Sequence, residues 1–180
     1  MDFSDAVRGR RSIRAYQPRD VPATEIEELI DLARYAPSSM NGQPWHFVVV
    51  RDAGIKRRLA DIKNRFCPAA KQVYRADFLV QAPVILVLCV DRLRSYGREF
   101  ENGMLASSII LIGAHSRGLG SAFLTAFNRN EPGLAEEIKQ ALDIPQGIEP
   151  VAILPVGYPD EFPGAKALRP LTELVHDERF

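Results

Sequence analysis

The stretch "APVILVLCV", Ala82 to Val90, limits the fold more than any other part of the chain. It is too short and lacks the length of a membrane span, yet every residue in it is apolar apart from a thiol. A run of this kind suits a strand buried on both faces, which requires packed layers above and below the sheet that contains it. "WHFVVV" (45–50) and "VAILPVGYP" (151–159) read as further strands. Pro155 inside the latter suggests an edge position or a bulge. "SAFLTAF" (121–127) reads as a strand with Ser and Thr on alternate sides.

Helical patterns alternate with these strands. In "PATEIEELIDLARYAP", Thr24 and Glu27 are spaced as a capping box, Ile26, Leu29, Ile30 and Ala33 share a face, and Pro37 forbids continuation. Asp52 caps "AGIKRRLADIKNRF", "PAAKQVYRADFLVQ" is helical, and Pro145 stops "EPGLAEEIKQALDIP". A long helix runs over about 99–117, with Leu105, Ser108, Ile109, Ile112 and Ala114 toward the core. Its Gly103, Ala106, Ser107 and Ser108 permit close approach of another helix, and Gly118 and Gly120 end it. The class is therefore α+β, with one central mixed sheet flanked by helices, and 180 residues suit a single domain, 1–180. The tail from Asp160 to Phe180 cannot build a core, so Leu168, Leu171, Leu174 and Val175 call for a docking partner such as a second protomer.

Charge decides what the chain can meet. Acidic and basic residues number 23 each, so no global field attracts nucleic acid or an anionic membrane, and any anion site is local. The N-terminus has no apolar leader pattern, and Cys67 and Cys89 lack paired spacing, which fits a reducing cytoplasmic setting. His46, His115 and His176 are too scattered for a metal site, and no hydrolase nucleophile elbow occurs. "RGLGSAF" places its glycines after a helix and before a strand, which suits capping rather than dinucleotide binding. Trp45 suits core packing.

Two stretches concentrate polar chemistry. "GRRSIRAY" (9–16) sets Arg10, Arg11, Ser12 and Arg14 together. Those residues suit either the closing of a short helix, by favourable cations at its negative end, or the grip of a phosphate by guanidinium forks and a hydroxyl. "PSSMNGQPW" (37–45) is a bend dense in hydroxyls and amides, suited to reading the edge of a planar heterocycle.

Together "RRSIRAY", "APSSMNGQPW", "RGLGSAFLTAF", "EPVAILPVGYP" and "LRPLTELVH" resemble, in order and from about Phe3 to His176, the flavin-dependent nitroreductase family. The resemblance implies an intertwined homodimer with an exchanged C-terminal tail and an FMN at each end of the subunit interface. By it, Arg10, Arg11, Ser12 and Arg169 serve the FMN phosphate, and Arg14 lies near the pyrimidine side of the ring. Pro37, Ser38, Ser39, Asn41 and Gln43 come from the partner. Thr125, next to Leu124, offers a backbone N–H to the hydride-accepting flavin N5. The implied reaction is ping-pong: NADH or NADPH reduces the flavin, and a nitroaromatic or quinone then takes the electrons. Tyr96 and Phe100 are candidates for the substrate rim. Other flavin chemistry on the same scaffold, such as reductive dehalogenation, or a carrier or sensor role, are the alternatives.

Overall fold

A computed structural model of the chain describes residues 1–67, 75–128 and 131–180. The apolar run becomes β2 (Val84–Asp91), paired antiparallel on one side with β1 (Trp45–Val50) and on the other with β5 (Ile148–Gly157). Two short strands, β3 (Gly120–Ser121) and β4 (Leu124–Thr125), lie successively along the far side of β5, giving the order β1-β2-β5-β3 with β4 beside β5. These strands all pair antiparallel, and the parallel component is a bridge from Ser12 to Ser121.

Alternation along β2 splits the interior in two. Val84, Leu86, Leu88 and Val90 join the core made with α2 (Ala23–Ala33) and α5 (Glu99–Ser116). Ile85, Val87 and Cys89 join the core made with α3 (Ala53–Arg65) and α6 (Gly133–Leu142). Burial on both faces leaves no solvent near the Cys89 thiol, whose pKa is pushed up to about 12 by desolvation. The remaining helices are short: α1 (Phe3–Gly9), capped by Asp2, and α4 (Arg92–Ser95), capped by Asp91. Among the described residues no helix is long and apolar enough to cross a membrane.

Several expectations change. Asp52 caps α3 through Ile55 N–H at 2.8 Å, but the capping box of Thr24 and Glu27 does not form, because α2 begins at Ala23, two residues before the start that a Thr24 cap requires. Pro22 takes the N-cap position and has no side-chain acceptor to offer the first turn. "SAFLTAF" is interrupted at Ala122 and Phe123. That interruption lies opposite Leu154 and Pro155 of β5, so Pro155 sits in a central strand at a place where the next ladder is broken. The bulge is elsewhere, between Leu88 and Cys89. Residues 68–74 of the expected helix over 68–81 lie outside the described residues, and Asp77–Val80 forms a 3-10 turn.

On α5 the buried face is Asn102, Gly103, Ala106, Ser107, Ile110, Gly113 and Ala114, rotated from the expected one. Leu105 and Ser108 are exposed, and Ile109 and Ile112 are half-buried. Gly103 seats the helix on the sheet, since a Cβ there would lie 2.5 Å from Cγ1 of Val151 in β5, and Gly113 lets α2 approach, with a Cβ there 3.2 Å from Leu29 Cδ2. Gly118 ends α5 at φ 76°, with Gly118 N–H on His115 C=O and Leu119 N–H on Ala114 C=O. The tail beyond Glu161 is exposed throughout, with one 3-10 turn at Leu171–Glu173.

Candidate functional site

The end of α1 separates the two readings of "GRRSIRAY". Arg11 closes the helix: one terminal nitrogen donates to Arg8 C=O at 2.7 Å and Arg10 C=O at 2.9 Å, and Nε donates to Gly164 C=O at 2.9 Å. Arg10 is half-buried, and its guanidinium has no hydrogen bond or ion pair with the described residues. Both arginines line a 340 Å³ cleft with His115, Gly120, Ser121 and Glu161. Burial, and then the charges of Arg10 and Arg11, hold His115 below the ordinary histidine value. The Glu161 carboxylate is committed to the backbone N–H groups of Arg14 and Ala15. A half-buried arginine with no ion pair among the described residues, beside a second arginine, gives this cleft the donor set of an anion site. Ser12 is held at its edge, since Ile13 N–H donates to Ser121 C=O at 3.0 Å. Arg14 is exposed.

The strand run after Ser121 leads to a second cavity. Thr125 pairs with Ala152 in the ladder, and Ala126 N–H donates to Val151 C=O at 2.9 Å. Successive residues of an antiparallel strand turn their peptide groups to opposite sides, so Thr125 directs its N–H and C=O away from β5. That C=O receives Lys63 Nζ at 2.7 Å. The Thr125 hydroxyl is engaged locally, donating to Phe127 C=O at 2.5 Å. Lys63, Phe66, Phe123, Leu124, Thr125 and Leu134 line a 360 Å³ cavity at this point. A largely apolar space with an outward N–H and the polar Lys63, Asn128 and Glu131 on its wall suits a flat heterocycle with polar edge atoms.

The bend at 37–43 is held from below. Asn102, 1% exposed on α5, accepts at Oδ1 from Ser39 N–H (3.0 Å) and Ser39 Oγ (3.3 Å), and its Nδ2 donates to Ser95 C=O at 3.2 Å. Trp45 Nε1 donates to the Asn102 C=O at 3.0 Å, and its ring packs on the first core. Ser38 Oγ accepts from Gln43 N–H at 3.0 Å. These contacts hold Met40, Asn41 and Gln43 at φ of 51°, 53° and 47°, a conformation costly for residues with side chains. Pro37, Asn41 and Gln43 face solvent, and Met40 is 82% exposed.

One protomer thus gathers Arg10, Arg11 and Ser12 at one end of the 120–125 run and Leu124 and Thr125 at the other. Neither cavity is lined by residues 37–43 or by Arg169, whose Nε pairs with Glu173 at 3.1 Å in the exposed tail. Tyr96 and Phe100 are exposed, and Phe100 lines a separate cavity with Phe127 and Glu149. Among the described residues no three His, Cys, Asp or Glu side chains gather as a metal site. Sequence reasoning passed over Asn102, His115 and Lys63. A signal existed for two of them: Asn102 is an amide opening an apolar helix, and Lys63 follows Leu59 and Ala60 on the buried face of α3.

The sequence model described as "Nitroreductase family" matches residues 7–158. A protein of Methanothermobacter thermautotrophicus, whose name pairs NADH dehydrogenase with NAD(P)H nitroreductase, is 33% identical over 170 residues, covering 93% of this chain and 83% of the other. An iodotyrosine deiodinase of Thermotoga neapolitana is 27% identical over 172 residues, with coverage of 87% and 88%. Among solved structures, an FMN-dependent nitroreductase from Clostridium difficile R20291 superposes with a TM-score of 0.85 at 27% identity, over 98% of this chain and 99% of that one.

Proposed function

Because the chain belongs to the nitroreductase family, we propose that it is an FMN-dependent oxidoreductase that draws hydride from NADH or NADPH and reduces small electron-poor acceptors, nitroaromatics and quinones among them. FMN, when bound, supplies the hydride relay between donor and acceptor. The observation that carries the reading is the Arg10 guanidinium, with no ion pair among the described residues, at the head of the strand run that ends in the outward N–H of Thr125.

Each residue has a part in this reading. Arg10 and Ser12 hold the phosphate with Arg169, while Arg11, already spent on three carbonyls, braces the loop from which they project. Arg14 gives a cation toward the pyrimidine side. Thr125 offers its N–H at the hydride-accepting edge, and Leu124 packs beside it. Because residues 37–43 and 169 stand apart from both cavities in one protomer, a second copy delivers Pro37, Ser38, Ser39, Asn41 and Gln43. The outward Leu105, Ile109 and Ile112 of α5 and the exposed tail are the surfaces such a homodimer would cover. Reduced nicotinamide as donor fits a cytoplasmic enzyme.

The deiodinase relative marks another chemistry on this scaffold. The connection between β2 and α5, Arg92 to Arg98, is too short to roof a bound amino acid, which favours the reductase reading. The test is an anaerobic absorbance spectrum of the purified protein. Bound flavin, with its band near about 450 nm, should bleach on adding NADH or NADPH. A bound flavin that neither nucleotide reduces points to a carrier or sensor, and no flavin uptake refutes the assignment. Light scattering should give a dimer.

A further inference from the structure

Among the described residues Lys63 is the cation of the Thr125 cavity, on a wall that is largely apolar and also carries Asn128 and Glu131. Its Nζ is fixed at 2.7 Å from Thr125 C=O, among Phe66, Phe123, Leu124 and Leu134. It forms no ion pair among the described residues. The contrast with Lys139 is instructive, since that half-buried lysine sits 2.8 Å from the Glu149 carboxylate and 3.3 Å from Glu136. Its ionisable neighbours Cys67 and Glu131 line the same cavity as Lys63 and act on its charge. Burial lowers the Lys63 pKa from the ordinary lysine value, with Cys67 and Glu131 opposing that fall, and the protonated ammonium sits among apolar side chains that screen its charge poorly.

We propose that Lys63 is the resident cation of the ring-binding cavity and that its charge raises the reduction potential of bound FMN. The inference rests on the reading above, in which the ring lies against Thr125. Two-electron reduction of FMN with uptake of one proton leaves the ring with one more negative charge. A fixed positive charge close to it favours that form over the oxidised one without touching a substrate. Lys63 thereby acts as a positioning and electrostatic residue, and its carbonyl partner keeps the ammonium from swinging out to water.

The experiment is an equilibrium dye titration of FMN bound to the full-length protein and to Lys63→Met, Lys63→Gln and Lys63→Arg. Lys63→Met and Lys63→Gln should bind reduced FMN at least tenfold less well relative to oxidised FMN, which is a fall of about 30 mV for a two-electron couple. Lys63→Arg should restore the wild-type potential. The glutamine variant covers the case in which the methionine variant does not fold. An unshifted potential in the neutral variants overturns the proposal, including the outcome in which both redox forms are weakened alike, as a purely structural lysine would produce. Wild-type protein that takes up no FMN would overturn the functional reading along with it, whereas loaded wild type and unshifted variants remove only the role of Lys63.

Discussion

Replacing Asn102 by alanine tests how the 37–43 bend is held. The side chain makes three hydrogen bonds, two from Ser39 and one to Ser95, and it is almost wholly buried. At about 1 kcal/mol net for each bond the loss is about 3 kcal/mol. For a domain of this size each kcal/mol moves Tm by about 2–4 °C, so the melt should fall by about 6–12 °C. The loss should be local as well as global. Met40, Asn41 and Gln43 occupy left-handed conformations that cost about 1 kcal/mol or more apiece, and they persist only while the bend is over-determined from below. Without Asn102 the bend relaxes, and FMN affinity in the dimer should fall more than tenfold even at temperatures where the chain stays folded. Differential scanning calorimetry and flavin fluorescence titration read the two effects separately. Ser39→Ala, which removes only the 3.3 Å hydroxyl contact, should cost far less in both. An Asn102→Ala protein that melts within about 2 °C of wild type and binds FMN as tightly would show that the bend holds itself, against the reasoning above.

Arg10→Ala combined with Arg169→Ala should weaken FMN by about 3 to 6 kcal/mol while leaving riboflavin binding unchanged, since charge-assisted contacts to the phosphate alone are removed; equal loss for both flavins would place these arginines elsewhere. His115 is held below its ordinary value, so the unfolded chain binds the extra proton and stability present above about pH 6.5 is lost as pH falls. His115→Gln should flatten that slope in melts from pH 5 to 8, and an identical slope in the variant would contradict it. Gly103→Ala would drive a methyl to within 2.5 Å of Val151 and should cost about 1–3 kcal/mol by urea unfolding. Most of that loss should return in the double mutant with Val151→Ala, and simple additivity of the two changes would rule out the clash.

The strands and the chemistry of the two polar stretches were open to sequence reading because each depends on local pattern. Ala82–Val90 has one arrangement that removes all its apolar groups from water, and Asp52 caps the helix it precedes. What escaped was set by neighbours distant in sequence. The buried face of α5 follows Gly103, which lets the helix settle over Val151, so that Leu105 is turned to the outside. Pro155 is tolerated in a central strand because the next ladder happens to break beside it. Lys63 reads as one more cation in a basic helix apart from its place on the face of Leu59 and Ala60, and the approach of Thr125 from another part of the chain is what gives it a role. The 37–43 bend looked functional by composition, but its anchor is a single amide far along the sequence.

The even and odd positions of β2 report to different halves of the molecule, and this has a genetic consequence. A truncation at Leu86 or Leu88 opens space on the side of α2 and α5, whereas one at Ile85 or Val87 opens space on the side of α3 and α6. Second-site suppressors of damage to neighbouring codons in this strand should therefore map to disjoint sets of helices, with the sheet acting as a partition between two independently evolving interiors.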